Sequence, residues 1–335
     1  MKKMILPLLA VAFLAACSDS NTDVNFVAPP TGAVSSSSEA IAPPMSSDAV
    51  VPASSDAAVP TSSDAAVPTS SSEVLPPPPQ SSAGVATLTE INPNLSYTFY
   101  GAELTGKDQF KYGRFEARMK MAAISGSVSS MFLYYDDSWE KEAKPWNEID
   151  IEVLGKDSTT WQSNIITREG DPSIKKTTSS EAKHPFGFSA TSEFHLFAIV
   201  WTPEYVSWEI DSVEIRRDTL GMSRGTHADA DQVKFLTENQ SLRFNLWASK
   251  TPSWTGKFTG IGLPVEQQID YVRVYSYDEA TKTFTKLWQD DFEGNELDAT
   301  HWQAGDWEME NVWYRDKNIK VENGVCKLIM DYEAS

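Results

Sequence analysis

The chain has 335 residues, a formal net charge of −19, 11% aromatic residues including 11 Trp, and two cysteines, Cys17 and Cys326. That acidity repels phosphate backbones and anionic lipid headgroups, which excludes nucleic acid as a partner and loose electrostatic adhesion to a membrane. No Cys or His cluster has metal-ligand spacing, so no side-chain metal centre is expected from the sequence; a serine triad stays open, with no G-x-S-x-G motif read in its support.

Residues 1–16, MKKMILPLLAVAFLAA, carry Lys2 and Lys3 and then an apolar run too short to span a membrane, the layout of a secretory signal. LAAC at 14–17 is similar to the lipobox of bacterial lipoproteins, in which the signal is cut before the cysteine and the cysteine is acylated. Cys17 is therefore the expected lipidation site and membrane anchor. Ser18 stands where an Asp would resemble an inner-membrane retention signal, so the expected location is the outer membrane or cell surface. With Cys17 acylated, Cys326 has no disulfide partner, and its place in VENGVCKLIM reads as a small buried hydrophobe.

Residues 17–90 read as a lipid-anchored linker. From about Ala28 to Gly84 the composition is Ser, Pro, Ala and Val, with SSDAVVPA at 46, SSDAAVPT at 54 and 62, and PPPP at 76–79. Such a stretch cannot bury a core and is expected to be a disordered, semi-rigid spacer.

Residues 91–335 suit one all-β domain. Period-two segments recur at 112–121, 128–135, 148–153, 161–167, 194–202, 205–211, 241–249, 270–277 and 325–330, separated by turn-rich stretches. Many short strands at near-regular spacing predict a β-sandwich.

PWNEIDIEVLG, at 145–155, bears the chemistry. Ile149, Ile151 and Val153 alternate with Glu148, Asp150 and Glu152, so a strand sends the apolar set into a core and the three acids out together with Trp146. Like charges this close in a partly dry cleft raise at least one pKa, which makes a general acid, while an ionised neighbour can be a nucleophile. Retaining glycoside hydrolysis uses such a pair with the carboxyls about 5–5.5 Å apart. Glutamates at the outer positions have the reach to lean inward; the shorter Asp150 is placed to hold a neighbour's protonation state. By itself E-x-D-x-E fits a solvated strand face or calcium ligands equally well. The company of Trp146, Lys156, Gln162 and Asn164 favours a sugar site.

PWNEIDIEVLGKD resembles the catalytic strand of family-16 glycoside hydrolases, in particular the bacterial lichenases (β-1,3-1,4-glucanases), and the likeness extends through YGRFEARMKM, SVSSMFLYY, WQSNIIT, WTPEYVSWEID, RFNLWAS and DYVRVYSY. No residue is inserted between Asp150 and Glu152, which favours the lichenase branch over laminarin-cleaving relatives. The resemblance implies a jelly-roll, concanavalin-like sandwich. The segment LWQDDFEGNELDATHWQAGDWE…NGVCKLIM follows the acidic strand here, at 287–330, whereas in most members its counterpart precedes it. That order implies a circularly permuted domain; the alternative is an appended C-terminal extension.

By position, the resemblance makes Glu148 the nucleophile, Glu152 the acid/base and Asp150 the assisting carboxylate. It assigns substrate-binding places to Trp146, Phe132, Tyr134, Gln162, Asn164, Arg243, Asn245, Trp247, Asp306 and Trp307. It implies no required cofactor, a structural calcium bound largely through backbone oxygens, and a β-glucan polysaccharide as substrate. The expected protein is a monomeric, licheninase-like endo-β-glucanase on a lipid anchor. The rivals are another family-16 activity, on β-1,3-glucan or xyloglucan, and a surface protein that holds glucan without cutting it.

Overall fold

The computed structural model describes residues 86–140, 144–169, 177–226 and 231–335. The signal segment, Cys17 and the linker up to residue 85 lie outside the described residues. The strands, in chain order, are β1 (Tyr97–Phe110), β2 (Gly113–Lys120), β3 (Ser127–Tyr134), β4 (Trp146–Leu154), β5 (Thr160–Arg168), β6 (Thr178–Ser179), β7 (Ala182–Pro185), β8 (His195–Trp201) and β9 (Tyr205–Ile210). They continue with β10 (Val213–Thr219), β11 (Gln240–Ala248), β12 (Val265–Asp278), β13 (Thr283–Asp290), β14 (Trp302–Ala304), β15 (Glu308–Met309), β16 (Val312–Tyr314), β17 (Ile319–Glu322) and β18 (Val325–Ala334).

Two antiparallel layers result. One runs β14–β1–β11–β3–β4–β5–β7, and the other β17–β18–β12–β2–β8–β9–β10. β13 continues the second layer along the later half of β12. The expected jelly-roll-like, nearly all-β fold is what forms.

Period-two patterning explains the layering. Ile149, Ile151 and Val153 of β4 are fully buried, as are Phe115, Ala117 and Met119 of β2, Phe197 and Ile199 of β8, and Val206 and Trp208 of β9. Each set is the inward half of its strand, and burying it is the main favourable term. The Trp208 indole also donates its Nε1–H to the Asp150 carbonyl at 2.9 Å, so the second layer grips the acidic strand from behind. Trp201 and Trp208 are both core. Cys326 is a buried free thiol, its pKa pushed upward by burial, and serves as packing.

The C-terminal segment is part of the sandwich and not an appendage. β14 pairs with β1, and β18 pairs with β12 at one end and with β1 at the other. Ser96 and Ser335 exchange backbone hydrogen bonds of 2.9 and 3.0 Å. Packing also reaches back before residue 91, where Leu88 is buried and bonds through its backbone to Gly262 and Leu263.

Half of the described strands have no counterpart among the sequence-predicted segments: the short β6, β7 and β14–β17, and the longer β1, β10 and β13. β1 is interrupted by Gly101 and Gly106, and β10, VEIRRDT, and β13, TFTKLWQD, are polar edge strands with little alternation to read.

At the end of β4 the chain turns through Gly155, where a Cβ would lie 1.7 Å from the Ile124 carbonyl. Gly155→Ala must push the Ile124 turn and the acidic strand apart. The expected cost is about 1–3 kcal/mol in thermal or urea unfolding, with activity falling in parallel. An unchanged unfolding midpoint would contradict the tight approach.

Candidate active site

β4 lies inside the first layer, paired with β3 and β5, and its register sets the neighbours of each acid. Glu148 is opposite Tyr134 and Ile166, Asp150 is opposite Phe132 and Asn164, and Glu152 is opposite Ser130 and Gln162. β11 continues the rows beyond β3, with Arg243 beside Phe132 and Asn245 beside Ser130. β1 then adds Thr105 and Glu103. Straight cross-strand rows therefore place most of the residues picked from sequence on one face.

The outer acids are each held by a neighbour. Trp146 donates Nε1–H to Glu148 Oε2 at 2.6 Å. Gln162 donates Nε2–H to Glu152 Oε2 at 2.8 Å, and its own Oε1 accepts from Trp254 Nε1 at 3.3 Å. Asp150 hydrogen-bonds Glu148. Glu148 and Asp150 are only 8% and 4% exposed, so water screens them poorly.

Burial pushes all three carboxyls up. Glu148 rises to about 7; the hydrogen bonds from Trp146 and Asp150 and the charge of Arg243 oppose the rise. Glu152 rises to about 8, helped by the charges of Glu148 and Glu181 and opposed by Gln162. Asp150 is pushed well above the usual carboxylate range, with Glu148 and Glu152 adding to the effect of burial. The three share protons as a set, and a protonated Asp150 donates to the Glu148 carboxylate. Near neutral pH such a set offers an acid and a base side by side.

Arg243 organises the β1 side of the face. It reaches Glu103 at 3.1 Å and Asp136 at 2.7 Å, and its guanidinium lies 4.7 Å from the centre of the Tyr134 ring. Tyr134 meets Phe132 and Trp146 edge-on at 6.3 and 6.1 Å. Asn245 accepts from Ser130 Oγ at 2.5 Å, and Asn164 Oδ1 accepts the Ser180 N–H at 2.9 Å. Trp307 is half-buried and its ring lies over Gly305; a Cβ at Gly305 would meet that ring at 3.0 Å and the Cβ of Glu103 at 3.2 Å. Asp306 is exposed. Trp247 is nearly fully buried and packs against Trp254, 5.9 Å between ring centres. Lys156 bonds the Ser253 carbonyl at 2.8 Å, which ties the short helix Pro252–Thr255 to the end of β4.

Sequence reasoning missed Glu103 and Trp254. Glu103 is buried beside Arg243, and burial outweighs the guanidinium to leave its pKa raised. Its partner lies 140 residues away, so no local motif marks it. GMSRG at 221–225 has the G-x-S-x-G spacing of a serine nucleophile, which the sequence reading overlooked. Ser223 is buried and bonds Asp218, Ser180 and Gln232; among the described residues no imidazole bonds it and no helix follows it directly. Among the described residues, no three His, Cys, Asp or Glu side chains are grouped to hold a metal ion.

The raised carboxyls fix the sign of a stability effect. A carboxyl whose pKa is higher in the fold than in the unfolded chain favours folding when protonated, and that contribution is lost as pH rises through the folded value. Asp150→Asn removes one such carboxyl and keeps a donor for Glu148. The variant is expected to melt several degrees higher than the parent at pH 8 and almost equally at pH 4. A gain that is largest at pH 4 would contradict the burial of an ionisable Asp150.

Residues 79–273 match the model of the glycosyl hydrolases family 16. The chain is 41% identical over 256 residues to a β-glucanase of Fibrobacter succinogenes, covering 75% of this chain and 68% of that protein. It is 33% identical over 181 residues to a β-glucanase of Acetivibrio thermocellus, covering 54% of this chain and 47% of that protein. Among solved structures, Bacillus licheniformis β-glucanase is similar at 28% identity and a TM-score of 0.36, over 46% of this chain and 62% of that one. With a family match over more than half its length, this chain belongs to glycosyl hydrolases family 16.

Proposed function

We propose that this chain is an endo-acting retaining hydrolase of mixed-linkage β-1,3-1,4-glucan. The observation that carries the reading is the β4 face, where two glutamates flank an aspartate, all three are raised by burial, and the outer two are gripped by Trp146 and Gln162. The uninterrupted Glu148–Glu152 spacing and the β-glucanases among its relatives support mixed-linkage glucan as the substrate.

In the first step, Glu152 gives its proton to the leaving glycosidic oxygen as the bond from that oxygen to the anomeric carbon breaks. A Glu148 carboxylate oxygen bonds the same carbon and forms a glycosyl ester. Asp150 and Trp146 direct hydrogen bonds at Glu148 and hold it ionised against its own burial. With Glu148 neutralised as an ester, the neighbouring negative charge is gone, and Glu152 more readily gives up a proton. Glu152 then takes a proton from water, the water oxygen bonds the anomeric carbon, and the ester breaks. Configuration is retained because both displacements invert. Tyr134, Phe132, Arg243 and Asn245 line the same face and are the proposed sugar contacts, with Trp307 at its β1 side.

The permuted order belongs to the same reading. The mutual hydrogen bonds of Ser96 and Ser335 place β1 and β18 side by side, so joining and reopening the chain elsewhere leaves the sandwich intact. The LAAC segment and the repeated linker support a lipid anchor that holds the domain off a membrane.

Two outcomes are expected. Glu148→Ala should lose about 10³-fold or more in turnover on barley β-glucan, and azide should restore cleavage of an activated aryl glucoside as the α-glycosyl azide. Near-normal turnover, or a β-azide product, would assign the nucleophile elsewhere. Cys17→Ser should move the protein from the detergent-soluble membrane fraction to the aqueous one; unchanged membrane retention would rule out acylation at that residue.

A further inference from the structure

The β15–β16 hairpin presents Trp313 outward with 44% of its surface exposed, while its neighbours Val312 and Tyr314 are buried. An indole left half in water is an unusual use of the largest apolar side chain. It is also held in place: its Nε1–H donates to Asp306 Oδ1 at 2.9 Å. Asp306 is exposed and is followed in the chain by Trp307, whose ring lies over Gly305, on whose other side is Glu103, and meets Tyr314 edge-on at 5.6 Å. Asp306 therefore holds one indole, that of Trp313, and directly precedes a second in the chain, just before the hairpin. Inward from Trp307 the same path continues through Glu103 and Arg243 to Tyr134, opposite Glu148.

We propose that Trp313, oriented by Asp306, is a distal platform that stacks a glucosyl ring of a long β-glucan chain beyond the rings held on the β4 face. This rests on the reading of that face as a glucan-cleaving site. The chemistry suits a β-linked glucosyl unit. Its ring substituents are equatorial, which leaves flat C–H faces for an indole and a rim of hydroxyls for a carboxylate acceptor. Asp306 and the overall negative charge disfavour an anionic ligand. The contact adds affinity that only a substrate long enough to reach it can use, so it acts through binding of polymer and not on the bond being broken.

The test compares the unaltered chain, Trp313→Ala and Trp313→Tyr on barley β-glucan and on a short aryl oligoglucoside. Trp313→Ala is expected to raise KM for the polymer about three- to tenfold with kcat unchanged, and to leave the short substrate's kinetics as they were. Trp313→Tyr keeps a stacking face and should recover most of the loss. Repeating the series in a Glu148→Gln background, with retardation by β-glucan in native gels as the readout, measures the contact without hydrolysis. Equal polymer KM and equal retardation for the Ala variant would overturn the inference. So would an equal loss on short and long substrates, which would mark Trp313 as structural. Failure of the unaltered chain to hydrolyse any β-glucan would instead strike the functional reading, and the gel series would still report on Trp313.

Discussion

Three carboxyls on one face of β4 cannot all be ionised at low cost, and the rest of the sandwich is arranged around that fact. Their burial raises every one of them, and each raised pKa records free energy spent on keeping the site dry. A surface strand could carry the same three acids without strain, but it would hold them ionised, exposed and chemically idle. Confining them between β3 and β5 forces them to share protons. The cost is met by the opposite face of the same strand, where Ile149, Ile151 and Val153 are fully buried against the second layer. One strand thus holds favourable apolar burial and costly carboxyl burial back to back.

That arrangement needs the strand to be fixed along its length. Hydrogen bonds to β3 and β5 set its register, the Trp208 indole holds the Asp150 carbonyl from behind, and Gly155 lets it turn against Ile124. A one-residue slip would exchange the isoleucines for the acids, so the same alternation that makes the site also forbids misregister. The outer acids are further restrained by donors from different strands: Trp146 lies on β4 itself, while Gln162 comes from β5. Position and protonation are set together by these contacts.

How much of this was legible in the sequence depended on range. EIDIEV announced itself because alternation is a local signal, and so did the strands around Phe115, Ile199 and Phe244. Arg243 and Asn245 could be placed on the site face once their strand was recognised. Glu103 could not: its importance comes from Arg243, and only the β1–β11 register brings them together. β1 itself went unread because its alternation, Ala102 and Leu104 against Glu103 and Thr105, is confined to four residues between Gly101 and Gly106. Trp247 and Trp254 carry the same difficulty in reverse. The residue type suggests a sugar platform for both; Trp247 packs inside, and it is Trp254 that reaches Gln162 beside Glu152. Nothing local distinguishes two tryptophans seven residues apart.

The two glutamates are alike as residues and differ only in their surroundings, and this is where roles divide. Glu148 has Arg243 on its side of the face, and it accepts from both Trp146 and Asp150; each of these favours its charged form. Glu152 faces the charges of Glu148 and Glu181, which favour its protonated form, with Gln162 alone opposing them. The Arg243 charge is offset in part by Glu103, which pushes Glu148 the other way, so the hydrogen bonds from Trp146 and Asp150 come first in favouring the ionised Glu148. That difference in donors and neighbouring charge draws the shared protons toward Glu152 and leaves Glu148 the more ionised of the pair. The proposed division into acid and nucleophile follows from that asymmetry, and it follows even though burial alone would push both carboxyls the same way.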